Sequence, residues 1–326
     1  MSKHKGINSA RLKTIYSRQE SPCWCTEYIP SILATPQEAP SISRAFILTP
    51  AKFNREIHLL STPERNAALL GLYHPDVVGL QEQRMLSPEP RPHPLSTFPG
   101  IDKTSLPPLK GIIDVAERLE CLDLLPRINI EDGNSTNEKV TVIFPWIGDL
   151  LWAIKPNSDE IYCVNWTVKE NFQDFKQPTS GKLTLASNSK KSQAILGRHE
   201  IEQTYYEDAR IRTVQVANKA IDPHVSANLR QLFLHHRRDL NLSDEQSAEI
   251  LRKFRAAFEN EIPPTEVIIF FSERGKYTVG QCRSLFYQSI WNRMLRVDLF
   301  QPVLINRPMR PETRDVLEVH ADWFRR

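Results

Sequence analysis

Asp149 and Lys169 bracket the stretch DLLWAIKPNSDEIYCVNWTVK, an acid at its entrance and a lysine at its exit. Asp149 to Ile154 is apolar and of strand length, Lys155 to Glu160 is a turn cluster, and Ile161 to Lys169 returns rich in β-branched and aromatic residues, the pattern of a β-hairpin. Directly opposed side chains in such a ladder lie about 5 Å apart. Asp149 then falls near Thr167 and Lys169, which share one face of their strand because side chains alternate with period two. An acid and a lysine pointing into one small volume form half of a nuclease-type site. The competing reading of the hairpin alone is an ordinary cross-strand ion pair on the surface.

A second acid has a definite place. Ser61-Thr-Pro-Glu64 reads as a helix start, with Thr62 as N-cap, Pro63 at the first helical position and Glu64 in the first turn. Leu69, Leu70, Leu72 and Tyr73 continue an apolar stripe until His74-Pro75 stops it. A carboxylate near a helix N-terminus is also favoured for electrostatic reasons alone.

The elements that position these residues follow an α/β pattern. Residues 1–43 carry Pro22, Pro30, Pro36 and Pro40 and read as an extended arm with little structure of its own. Short strands are expected over 45–49 and 55–60, and a longer one over 77–86. The proline-rich segment 87–110 is a loop, 112–125 a helix and 126–139 another loop. After the hairpin, helices are expected over 190–206 and 225–236 with a strand at 211–216 between them. A helix over 241–258 has its cap at Ser243 and Ile250, Leu251, Phe254 and Phe258 on one face. A further helix over 277–295 and two short strands, 295–298 and 303–305, complete a C-terminal unit with a small wing. The expected organisation is thus an arm over 1–43, a catalytic domain over 44–238 and a C-terminal domain over 239–326, with a core around Leu251, Phe254, Phe286 and Trp291.

At 326 residues with 40% hydrophobic content, the chain supports two domains. It has no apolar run of membrane-spanning length, and its start is basic with no apolar segment for a signal peptide, so a cytoplasmic setting is expected. The five cysteines are scattered, and Cys23 and Cys25 read as free thiols. A net charge of +3 limits any nucleic-acid footprint to local patches. Candidates for such patches are Arg237 and Arg238 in the run HHRR and Arg293, together with Arg283 and Arg296, beside Tyr287 and Trp291. The two aromatics themselves have the spacing of core residues.

Three segments taken in order carry a resemblance: HLLSTPERNAALLGLYHPDVVGLQEQRML, the Asp149 to Lys169 hairpin, and YYEDARIRTVQVANKAIDPHVSANLRQL. Over roughly 44–305 the chain resembles the TnsA family, the restriction-enzyme-like endonuclease subunit of heteromeric cut-and-paste transposases. That family's PD-(D/E)xK pattern is a helix-borne Glu, a strand-borne Asp, then a Gln or Glu two residues before a Lys. Glu64, Asp149, Thr167 and Lys169 match those positions, with Thr167 the departure, since a hydroxyl is a weaker metal ligand than a carboxylate.

The resemblance implies a restriction-endonuclease-like core with a winged-helix-like C-terminal domain. It implies Mg²⁺, or Mn²⁺ in its stead, held by Glu64, Asp149 and the backbone carbonyl of Val168, with Lys169 orienting or deprotonating the attacking water. Thr167 and Gln83 would stand just behind these groups. The implied reaction is cleavage at the 5′ ends of a transposon, on double-stranded DNA, beside a TnsB-type transposase and a TnsC-type ATP-dependent regulator. The alternatives are a stand-alone restriction or repair nuclease of the same kind, and a non-catalytic DNA- or partner-binding module that retains the fold.

Overall fold

A computed structural model describes residues 6–42, 44–131, 139–156, 160–176 and 185–326. The chain opens on helix α1 (Ser9–Gln19), then β1 (Phe46–Leu48), β2 (Ile57–Leu59), α2 (Thr62–Tyr73), β3 (Val77–Glu82) and β4 (Met85–Leu86). Next come α3 (Ile112–Arg118), β5 (Arg127–Glu131), β6 (Lys139–Ile143), β7 (Trp146–Ile147), β8 (Leu150–Ile154) and β9 (Tyr162–Lys169). They are followed by α4 (Leu185–Glu207), β10 (Arg212–Ala217) and α5 (Pro223–Phe233). The C-terminal region is helical: α6 (Asp244–Glu259), α7 (Pro264–Glu273), α8 (Val279–Trp291) and the short α9 (Val316–Val319).

The central sheet is mixed and has the order β10-β9-β8-β3. The expected hairpin is its middle: β8 and β9 run antiparallel with Leu150 opposite Trp166 and Ile154 opposite Tyr162, while β10 joins β9 in parallel. Residues 157–159, at the turn, lie outside the described residues. All five residues of β8 are buried, because helices cover both faces of the sheet. Leu150, Trp152, Ile154, Val164, Trp166 and Val168 face α2 and α5 in one core. Leu151, Ala153 and Cys163 face Ile201, Tyr205 and Tyr206 of α4 in the other. The approach of α2 is close: a Cβ on Gly71 would collide with the Trp152 indole, so only glycine fits there.

Several expectations change. The helix of Glu64 is capped by Ser61, one residue earlier than expected, because it is the Ser61 hydroxyl that reaches the Glu64 amide. Residues 6–42 are built into the fold. Leu12 and Ile15 of α1 are buried, Tyr28 Oη donates to Glu82 O at 2.7 Å, and Gln81 Nε2 donates to Cys23 O at 2.9 Å. Cys23 and Cys25 are joined as a disulfide, their Cα atoms 5.5 Å apart, in place of the expected free thiols. The presumed loop at 126–139 is the β5–β6 hairpin, whose tip at 132–138 lies outside the described residues. Helix α7 was not read from sequence, since Pro263-Pro264 reads as a stop although proline is well placed at a helix start.

The expected wing does not form as strands; an isolated bridge between Val297 and Pro311 stands in its region. Nor does the apolar interior divide at 238. Phe254, Phe286 and Trp291 belong to the same continuous core as α2 and α5, where Trp291 meets Tyr73 edge-on at 5.6 Å and Phe233 at 5.6 Å. Among the described residues no helix is long and apolar enough to cross a membrane.

The shared core has a measurable consequence. Trp291→Ala opens a cavity touching α2, α5 and α8 together and is expected to destabilise the chain by about 3–5 kcal/mol. In chemical denaturation the loss should fall on a single transition involving the sheet and the C-terminal helices. Two transitions, with only the later-sequence helices affected, would show that the cores are separate.

Candidate functional site

The site is assembled where the N-terminus of α2, the end of β3 and the start of β8 meet. Glu64 is 8% exposed, and both its oxygens are held: Oε1 accepts from Ser61 Oγ at 2.9 Å, and Oε2 accepts from Leu60 N and Gln83 Nε2, each at 2.8 Å. Burial, and after it the negative charge of Asp149, raise its carboxyl from 4.5 to about 7. The hydrogen bonds from Leu60 and Ser61, and the charge of Lys169, act in the opposite direction. Glu64, Asp149 and Lys169 therefore share one electrostatic neighbourhood.

Asp149 stands one step before the first ladder pair of β8, opposite Thr167 in register. Its Oδ2 accepts from Val168 N at 2.7 Å, which fixes the carboxylate against the end of β9. Lys169, half-buried, closes β9, and its charge also pushes the His199 imidazole down, after burial has done most of that work. Among the described residues its ammonium has no hydrogen-bond or ion-pair partner.

Gln83 links these parts. Its backbone is in the left-handed region (φ 49°), its amide N donates to Asp149 O at 3.0 Å, and its carbonyl accepts from Ser31 N at 3.0 Å. The preceding Glu82 has a different task, a bidentate ion pair with Arg55 at 2.7 and 2.8 Å in which both side chains are buried. Such a pair fixes geometry more than it adds stability, and breaking it by removing one partner is costly.

Thr167 faces away from Glu64, toward α4, where its hydroxyl donates to Glu202 Oε1 at 3.0 Å. Asn165 Nδ2 donates to the same oxygen at 3.1 Å. Glu202 is buried, and burial first, then the charge of Asp149, hold its carboxyl above the ordinary range. Sequence reasoning missed this third acid. The available signal was its position three and four residues before Tyr205 and Tyr206, which places it on the buried face of α4.

The arginines nominated for DNA are not gathered here. Arg237 and Arg238 are exposed, and Arg237 donates to Thr49 O at 3.3 Å. Arg293 turns inward, paired with Asp315 and stacked over Tyr73 at 5.3 Å. Arg296 pairs with Glu312 and Asp315, and Tyr287 and Trp291 are core residues. A different basic group flanks Glu64. Burial and the charges of Arg230 and Arg44 lower the Arg65 guanidinium, so three like charges gather beside the start of α2.

Among the described residues no group of three or more His, Cys, Asp or Glu side chains is arranged to hold a metal ion. The donor set proposed from sequence is smaller: two carboxylates and a backbone carbonyl. It suits a hard cation in two respects. The repulsion between Glu64 and Asp149 is of the kind a divalent ion relieves, and Asp149 Oδ1 makes no hydrogen bond among the described residues. No model of a known protein family matches this chain, and no curated protein matches it either.

Glu64 makes stability depend on pH in a defined direction. Its folded pKa is raised, so the folded state takes up a proton more readily than the unfolded chain, and this contribution is fully present below 4.5 and lost as pH rises through about 7. In metal-free buffer the Glu64→Gln protein should lack this loss, which amounts to as much as about 3 kcal/mol. The check is the urea midpoint of both proteins at pH 5 and pH 8. Parallel midpoints at the two pH values would show that Glu64 is not held in its neutral form.

Proposed function

We propose that this chain is a Mg²⁺-dependent DNA endonuclease, the subunit of a heteromeric transposase that cleaves the 5′ ends of the element. In this reading the sheet and its flanking helices form a restriction-endonuclease-like core, and α6, α7 and α8 supply the helical part of a winged-helix-like region. One observation supports the reading best: Gln83 joins the helix-borne Glu64 to the strand-borne Asp149, its side-chain amide donating to Glu64 Oε2 at 2.8 Å and its main-chain amide to Asp149 O at 3.0 Å, and the charge of Lys169 also acts on Glu64.

The chain's own groups divide the work as follows. Glu64, Asp149 and the backbone carbonyl of Val168 would hold Mg²⁺, which supplies an activated water and shields charge on the phosphate. Gln83 holds Glu64 in place, and the Val168 amide fixes one oxygen of Asp149 and leaves the other directed elsewhere. Lys169, without a partner of its own among the described residues, would orient the attacking water as an ammonium, or take its proton as the neutral amine formed once its own proton has passed to solvent. Arg65, Arg230 and Arg44 attract the neighbouring phosphates of the strand. DNA bound at the transposon ends, a TnsB-type transposase and a TnsC-type regulator complete the assembly in this reading.

A second reading has its own support. Both oxygens of Glu64 are already engaged, and Thr167 is committed to Glu202, as befits a module that keeps the fold and binds DNA or a partner without turnover.

The two separate in one assay, strand-specific cleavage in the presence of partner transposase and Mg²⁺. Asp149→Ala should abolish 5′ cleavage and Lys169→Ala should reduce it at least about 10²-fold, while assembly with the partner persists. Undiminished cleavage by Asp149→Ala would remove the proposed site. No Mg²⁺-dependent cleavage by the unaltered protein would leave the binding module as the reading.

A further inference from the structure

Arg84 follows Gln83 in the chain but turns to the other side of the sheet. It is 6% exposed, and its Nε has no hydrogen-bond partner among the described residues. Among the described residues its one side-chain hydrogen bond, from Nη1, goes to the neutral amide oxygen of Gln81. None of the ion pairs among the described residues includes it. A guanidinium stays charged under all ordinary conditions, so burying one without a counter-charge is costly.

The space around it is shaped for an answer to that charge. Arg84 lines a cavity of about 70 Å³ together with Arg91, Ser87, Ser96, Thr97 and Tyr205. Arg91 is half-buried, and among the described residues its guanidinium bonds only neutral oxygens, the hydroxyl of Ser87 at 3.4 Å and the carbonyl of Glu20 at 3.2 Å. His93 also lines the cavity but contributes no charge: its Nδ1 accepts from Leu95 N at 3.0 Å, and burial holds its imidazole down to about 4. Among the described residues no acid forms an ion pair with either arginine, and Glu89 meets Arg91 only through the Ser87 hydroxyl that both touch. Glu20 stands exposed on the rim, and Glu89 accepts from Tyr16 Oη at 3.2 Å and from Ser87 Oγ at 3.5 Å.

We propose that the cavity between Arg84 and Arg91 is a binding site for a phosphate-sized oxyanion, either free inorganic phosphate or the terminal phosphate of a nucleic-acid end. Two arginines lining one small cavity offer forked donors that match the tetrahedral oxygens of such a group, and the Ser96 hydroxyl adds a neutral donor. The site is separate from the Glu64–Asp149 cluster in its residues and in the face of the sheet it uses, so its occupancy does not depend on cleavage.

The test is binding and thermal stabilisation of the full chain, with sodium chloride of equal ionic strength as control. The probes are inorganic phosphate, a 5′-phosphorylated dinucleotide and the same dinucleotide without its 5′ phosphate. Phosphate should raise the melting temperature beyond the chloride control, and Arg91→Gln, a change at a half-buried position, should weaken binding at least about tenfold. Arg84→Gln should abolish the shift. Preference for the phosphorylated dinucleotide over inorganic phosphate would assign the site to a nucleic-acid end, and the reverse order to the free ion. The proposal fails if phosphate acts no more than chloride on the unaltered protein, if the unphosphorylated dinucleotide binds as well as the phosphorylated one, or if Arg91→Gln binds phosphate unchanged.

Discussion

The hydrogen bond from Gln83 to the buried Glu64 carboxylate ties the molecule together. Through it the end of β3 grips the start of α2, and through its main chain the same residue grips Asp149 at the mouth of β8 and Ser31 of the N-terminal region. A left-handed backbone at Gln83 makes this possible, because it ends the ladder of β3 and turns the side chain back toward the helix. A buried carboxylate held by a hydroxyl, a main-chain amide and a side-chain amide is fully supplied with donors, yet the charge of Asp149 still works against its ionisation. Structure and proposed chemistry thus rest on one group whose preferred protonation state lies close to neutrality.

The sheet sets which face each group serves. With helices on both sides, alternation along β9 sends Trp166 and Val168 toward α2 and Asn165 and Thr167 toward α4. Thr167 and Glu64 are consequently on opposite sides, and the hydroxyl that departs from the resembled pattern is used to hold a second buried acid, Glu202. Asp149 lies between the two and raises both carboxyls. The molecule carries acids on two faces of one sheet end, linked by the aspartate at the strand start.

Local patterns read well from the sequence. The β8–β9 hairpin and the nearness of Asp149 to the end of β9 followed from alternation and turn residues, and the Ser243 cap was read as well. What was not legible depends on contacts between distant segments. The proline-bearing N-terminal region gains its structure from Tyr28 and Gln19, which bond to residues of and beside β3 and β4, and no local signal announces such partners. The boundary at 238 looked natural because α6 has a clear start, but Trp291 and Tyr73 meet across it. Within the site, sequence could place Glu64 and Asp149 on their elements. That Thr167 would be claimed by Glu202 required knowing which face α4 covers.

The central claim is that Glu64, Asp149 and Lys169 form a single cation-dependent site. Its most direct test is a crystal structure of the protein soaked in Mn²⁺, with anomalous scattering used to locate the ion. The account predicts one peak in contact with carboxylate oxygens of both Asp149 and Glu64, with the Lys169 ammonium nearby. Density in which Glu64 keeps all its bonds to Leu60, Ser61 and Gln83 and no ion touches Asp149 would contradict it.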